Sequence, residues 1–394
     1  MMILCLVLIG IFIVIHQVSV LYSQNKSVFT APGAGPVFMA ALRQSLASCF
    51  RVYSRYGYWG IVMMLSKSRH ALMWVVTLVF SVYLLIFYVG IPNIKRSLSG
   101  FRYVSDIVER YEIIGYDNGS KLYVMNQEDI CGGGKKAGTP VDLLIAVITA
   151  PKYFDRREAI RKTWGGIVKT NPRIKVLFFL GVTLAPGFDE GKLWEESTVH
   201  HDMVQLNYSD TYEELTFKSI SIVHWVGKFC EHALYVLKTD DDALVNVENM
   251  MTSLTNAHLK HDDFIMCYVW KGAHVIRMRK HKYFVPYEAY RKKIYPDYCG
   301  GLYAFTANLS RGLYQTSLRT PFIAMEDVYM TGMVASQMKI PLVHNDGFVL
   351  DQSRIKKRKR KIDPCIYKNV SIYVEYSPQE LMTIWDKYDP GVCR

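Results

Sequence analysis

Ala233-Leu234-Tyr235-Val236-Leu237-Lys238-Thr239-Asp240-Asp241-Asp242 joins an apolar run to three consecutive carboxylates. The run Ala233 to Leu237 is short, carries an aromatic and is β-branched at Val236, so it reads as a buried strand. The acids then stand where a strand ends, which is where open α/β sheets bind ligands. Three adjacent negative charges repel and raise one another's pKa values. A hard divalent cation offsets that cost, because oxygen ligands suit Mg or Mn. If the chain stays extended, Asp240 and Asp242 share one side and Asp241 faces the other. Taken alone, the triplet reads equally well as a solvated acidic turn.

The chain of 394 residues is long enough for one domain of about 300 residues or two smaller ones. Half of its residues are apolar, a high share that points to membrane segments. The net charge of +12 would suit nucleic acid, but no helix-turn-helix, finger or RNP motif accompanies it. Met2 to Ile15 is uncharged and continues more weakly to Tyr22, a marginal span or signal-like segment. Ala71 to Pro92 is uncharged and long enough to cross a bilayer. Lys26, Arg43, Arg51, Arg55, Lys67 and Arg69 lie between the two segments with no acid among them. The positive-inside rule therefore predicts a cytosolic region 1–70, a transmembrane anchor 71–92 and a lumenal remainder. A start at Met63 or Met64 would leave an ordinary type II signal anchor.

Sequons at Asn118, Asn207, Asn308 and Asn369 fit a lumenal body as glycosylation sites. So do the six cysteines after the anchor, Cys131, Cys230, Cys267, Cys299, Cys365 and Cys393. None has CxxC spacing, which argues against zinc. Their pairing is not readable. Residues 93–140 are polar and rich in Gly near Cys131, which predicts a stem ahead of a catalytic domain over 141–394.

Strands are predicted at Asp142 to Thr149, Ile174 to Leu180 and Met203 to Leu206. Helices are predicted around Arg156 to Gly165, Leu193 to Thr198 and Thr211 to Cys230. This alternation predicts an α/β fold with a mainly parallel sheet flanked by helices. Arg157 and Arg161 are four apart and share a helix face, where they can meet a diphosphate or an acidic partner.

Six motifs occur in order. They are Arg157-x-x-Ile160-Arg161-x-Thr163-Trp164-Gly165, Phe178-Phe179-Leu180-Gly181, Asp210-x-Tyr212-x-x-Leu215-Thr216-x-Lys218, Lys238-Thr239-Asp240-Asp241-Asp242, Tyr295-Pro296-x-Tyr298-Cys299-Gly300-Gly301-x-Tyr303 and Glu326-Asp327-Val328-Tyr329. Over about Val141 to His344 the chain resembles the β1,3-glycosyltransferase family, which includes β1,3-galactosyltransferases, β1,3-N-acetylglucosaminyltransferases and the Fringe enzymes. The resemblance implies a Rossmann-like GT-A fold, a UDP-sugar donor, Mn2+ or Mg2+, inversion at the anomeric carbon and a type II protein of the Golgi membrane.

By position, the resemblance makes Asp242 the metal ligand, with Asp240 and Asp241 holding the ribose or donor sugar. It makes Asp327 the base that takes the proton of the acceptor hydroxyl. It offers His344 as a second metal ligand, though a lone His is more often structural. Asp327 also suits a helix N-terminus, since Val328 to Met338 reads helical. The partners implied are a UDP-sugar and a glycan acceptor on glycoprotein or glycolipid.

Two departures stand out. Ala243-Leu244-Val245-Asn246 follows the triplet where relatives commonly carry an aromatic. Tyr329-Met330-Thr331-Gly332 has one residue more before its Gly than many relatives. Galactose is the expected sugar, with N-acetylglucosamine or N-acetylgalactosamine as alternatives and an inactive lumenal glycan-binding protein as the rival class. Two basic stretches remain. Arg277 to Lys282 reads as an acceptor loop, and Arg354 to Lys361, with seven basic residues in eight, as a solvated run that can also bind an anion.

Overall fold

A computed structural model describes residues 122–132, 140–183, 185–350 and 363–393. Its strands are β1 (Tyr123–Met125), β2 (Leu143–Ile148), β3 (Ile174–Val182), β4 (Met203–Ser209), β5 (Tyr235–Asp240), β6 (Leu244–Val245), β7 (Ile265–Trp270), β8 (Tyr298–Thr306), β9 (Leu342–His344), β10 (Phe348–Val349) and β11 (Ile372–Tyr373). Eight of them form one sheet in the order β1-β4-β3-β2-β5-β8-β7-β9. A small second sheet has the order β10-β11-β6.

All six residues of β2 are buried, so this strand is covered on both faces. Leu144, Ala146 and Val236 pack into a core with α3 (Leu215–Phe229) and α5 (Leu309–Ser317). Leu143, Ile145, Val147 and Leu237 pack on the opposite side. There they meet α1 (Phe154–Lys162), α2 (Glu190–His200), α4 (Val247–His258) and α6 (Pro378–Lys387). The alternation of period two along each strand divides one apolar sequence between two cores.

The expectation of a mainly parallel sheet holds for β4-β3-β2-β5 and needs correction beyond it. β8 runs antiparallel to both β5 and β7, while β9 returns parallel to β7. The cause is the 271–297 connection, which lacks a crossover helix, so β8 re-enters at the edge where β7 ends. The register aligns Ala146, Lys238, Tyr303, Cys267 and His344 in one row across five strands. The ends of β5, β7 and β9 and the start of β8 therefore share one sheet edge.

Of the stem expected over 93–140, residues 122–132 belong to the folded body. β1 pairs antiparallel with β4, Leu122 and Met125 are buried, and Cys131 is bonded to Cys230. Cys267 is bonded to Cys299 and Cys365 to Cys393, so all six cysteines pair. Among the described residues no helix is long and apolar enough to cross a membrane. Both apolar segments, 2–22 and 71–92, lie outside the described residues, as do Asn118 and Arg354 to Lys361.

Candidate functional site

The strand ends on the first acid. Asp240 is the last residue of β5, and the chain then turns, with the Ala243 N–H donating to the Asp240 carbonyl at 3.3 Å. Two clasps fix the turn. The Trp164 indole donates to the Ala243 carbonyl at 2.8 Å, and the Tyr376 N–H donates to the Asp242 carbonyl at 2.9 Å. Trp164 of the first motif thus supports the acids rather than touching a ligand.

Because the chain turns, the expected alternation stops at Asp240. Asp241 is buried, accepts from the Thr149 hydroxyl at 2.7 Å and pairs with Arg156 at 2.7 Å. The same guanidinium lies 3.9 Å from Asp242. Asp240 leans the other way, 3.5 Å from the ammonium of Lys238. Burial, then the charges of Asp240 and Asp241, push the Asp242 carboxyl up to about 6. The triplet holds more negative charge than Arg156 and Lys238 neutralise, which fits a hard cation at Asp242.

Lys238 reaches from the acidic triplet to the second acidic pair. Its buried ammonium donates to the Gly301 carbonyl at 2.6 Å and to Glu326 at 3.1 Å. Gly301 adopts φ +74°, a left-handed conformation that glycine accepts without a Cβ clash. The other oxygen of Glu326 accepts from the Tyr303 hydroxyl at 2.8 Å. The opposing charges of Asp240 and Glu326 outweigh burial and raise the Lys238 ammonium, which stays charged.

Asp327 follows directly and caps a π-helix, Val328–Val334, accepting from the Val328 N–H at 2.8 Å. Burial, then the charge of Glu326, pushes its carboxyl up to about 7. A base with that value is half-ionised near neutral pH. The turns from Val328 to Val334, which include Gly332, are π-helical. The Thr331 hydroxyl ties those turns together, donating to the Asp327 carbonyl at 2.5 Å and accepting from the Cys299 N–H at 2.9 Å.

The diphosphate role expected for Arg157 and Arg161 is corrected. Arg157 is fully buried and gives two hydrogen bonds to Glu196, at 2.8 and 2.6 Å. Arg161 is held by Asp202 and Glu196. Both meet acidic partners, Glu196 on α2 and Asp202 just before β4, rather than a ligand. Arg156, one position earlier and about 100° round the helix, is the cation that faces the triplet.

His344 is the last residue of β9. Its Nδ1 accepts from the Val269 N–H at 3.1 Å, so in the neutral ring the proton is on Nε2. Nε2 lies 3.0 Å from Asp346. His344 is also three strands from β5 along the sheet edge. Among the described residues no group of three or more His, Cys, Asp or Glu side chains is gathered to hold a metal. A cation here would share its coordination with the donor's own oxygens.

Three tyrosines feel the charge of Asp327. Burial pushes the phenols of Tyr212, Tyr295 and Tyr298 up to about 12, and the charge of Asp327 contributes to each. Tyr212 also feels Asp240 and Glu326, so it stands over both halves of the site. Asp210 and Lys218, from the same motif, instead form a buried pair at 2.9 Å that braces the end of β2 through the Thr149 carbonyl. The sequon residues Asn207, Asn308 and Asn369 are all exposed.

A family model described as Galactosyltransferase matches residues 155–346, a span that contains the triplet and Asp327. Beta-1,3-galactosyltransferase 1 of Mus musculus is 33% identical over 252 residues, covering 62% of this chain and 73% of that protein. Beta-1,3-galactosyltransferase 2 of Pongo abelii is 29% identical over 304 residues, covering 75% and 68%. Among solved structures, a glycosyltransferase involved in glycosylation of the major capsid of PBCV-1 is 9% identical, covering 61% of this chain and 98% of that one. Its TM-score of 0.30 is too low to carry an argument.

Proposed function

The chain belongs to the galactosyltransferase family and is a glycosyltransferase, and we propose that it moves galactose from UDP-galactose in β1,3 linkage onto a glycan of a glycoprotein or glycolipid. Family membership displaces the inactive glycan-binding alternative.

One observation carries the reading. The Lys238 ammonium is 3.5 Å from Asp240 and 3.1 Å from Glu326, so the acidic turn and the neighbour of Asp327 meet across one side chain. Donor acids and base then belong to a single site. In the reaction, Asp240 and Asp241 orient the ribose or donor sugar. Asp242 is the residue that would hold Mn2+ or Mg2+, which when bound neutralises the diphosphate and stabilises departing UDP. Asp327 takes the proton from the acceptor hydroxyl as that oxygen bonds to C1. The C1–O bond to UDP breaks on the opposite face, which inverts the centre.

Three disulfides support a lumenal body, because such bonds persist in oxidising compartments. With the apolar segment 71–92 as anchor, the reading is a Golgi membrane protein whose catalytic domain faces the lumen. The test is UDP release from UDP-galactose, UDP-N-acetylglucosamine and UDP-N-acetylgalactosamine, with Mn2+ and then with chelator. Galactose is expected to be preferred and chelation to stop transfer. Preference for another sugar, or full activity in chelator, would overturn the donor or metal assignment.

A further inference from the structure

The connection from β7 to β8 leaves at Trp270 and returns at Tyr298, on the edge that carries Asp240. It is a built loop. Bridges join His274 to Ile294 and Ile276 to Phe284, and the Tyr295 N–H donates to the Ala273 carbonyl at 3.0 Å. Arg277 holds its interior, donating to the carbonyls of Val285, Tyr290 and Lys292. Its return limb packs on the helix that Asp327 caps, since a Cβ at Gly332 would sit 3.1 Å from the Cβ of Tyr298.

The loop's charge is one-sided. Residues 271–297 contain eight Lys or Arg and two acids, Glu288 and Asp297. Arg277 is committed to carbonyls, and the other seven are exposed. None of the ion pairs among the described residues uses any of them. They are not counter-charges for the catalytic acids, which already face Lys238 and Arg156. Lys282 is the basic group most clearly aimed at the site. Its ammonium lies 4.7 Å from the centre of the Tyr212 ring and 5.3 Å from that of Tyr283. Arg279 and Lys280 precede it on the same exposed turn. Tyr212, the ring that Lys282 covers, feels the charge of Asp327.

We infer that the acceptor carries a fixed negative charge, a sulfate ester or a uronic carboxylate, and that Arg279, Lys280 and Lys282 receive it. The inference rests on the proposed transfer at Asp327. Opposed charges here raise capture and fix the orientation of the acceptor, and the effect falls with salt.

The experiment uses the purified full-length chain with UDP-galactose and Mn2+. The acceptors are p-nitrophenyl N-acetyl-β-glucosaminide, its 6-O-sulfate, and a disaccharide pair with and without glucuronic acid. A charged acceptor is expected to exceed its neutral twin about tenfold in kcat/KM, through KM, and to lose that lead at high salt. The triple variant Arg279→Ala, Lys280→Ala, Lys282→Ala should erase the lead and leave the neutral acceptors within about twofold. The sulfate and carboxylate pairs separate the two sources of charge. Equal kcat/KM for charged and neutral twins, or a lead that survives the triple variant, overturns the inference. Binding of the same sugars by isothermal titration with UDP present decides it even without turnover. Equal affinities overturn it, whereas selective binding without transfer strikes the transfer reading instead.

Discussion

The Lys238 ammonium stands 3.1 Å from Glu326, one residue before the proposed base, and both groups are buried. Removing one partner of a buried pair leaves a stranded charge and costs about 3–5 kcal/mol. Lys238→Met should therefore lower the urea midpoint sharply. The double variant with Glu326→Gln should recover part of the loss, a coupling that a double-mutant cycle reads directly. Strict additivity of the two losses would show that the pair does not act as a unit.

Asp327 predicts opposite effects on activity and stability. Its carboxyl is raised to about 7, so the folded chain holds a proton there that the unfolded chain releases near 4. Its stabilising contribution is complete below about pH 4 and is lost as pH rises through about 7. Asp327→Asn removes this loss and keeps an N-cap. The variant should be more stable than the parent at pH 8, by about 1–2 kcal/mol, with little gain at pH 5. Transfer should vanish, while in the parent kcat should climb with pH through about 7. Thermal melts at the two pH values and a kcat profile check both halves.

Asp242 is the test of the cation. MnCl2 with UDP should raise the melting temperature of the parent chain and leave that of Asp242→Asn unmoved. Donor affinity should fall about 10–100-fold in the variant. An unchanged Mn2+-dependent shift would remove Asp242 from the metal site.

Arg161 and Arg156 separate stability from ligand binding. Arg161→Ala should lower stability by about 1–3 kcal/mol through loss of its bonds to Asp202 and Glu196, with the donor KM within twofold. Arg156→Ala should leave Asp241 and Asp242 less neutralised and so make donor binding more dependent on Mn2+ concentration. Urea melts and donor titrations on the two variants decide this, and a raised donor KM in Arg161→Ala would restore the diphosphate role.

Much of this was legible in the chain and some was not, for physical reasons. The strand expected over Ala233 to Leu237 is present but shifted, over Tyr235–Asp240, because Leu234 is exposed and Lys238 and Thr239 are buried; its acidic end followed from apolarity alone. The alternation expected through Asp242 failed because the turn is imposed by Trp164 and Tyr376, residues distant in sequence. Arg157 and Arg161 looked right by spacing, yet spacing gives a shared face without saying which face meets the site. Glu196 on α2 and Asp202 just before β4 claimed that face, and Arg156 was left to the triplet. The disulfide pairs and the antiparallel β8 were set by tertiary register, which no local pattern carries.

The π-helix behind Asp327 has a bearing on descent. A helix that takes up an added residue inside its own turns would spare the sheet and the acidic triplet. Only the carboxylate at its head would be re-aimed. A lineage with such a joint could change which hydroxyl it presents to Asp327 by a single codon gained or lost, with the triplet inherited intact.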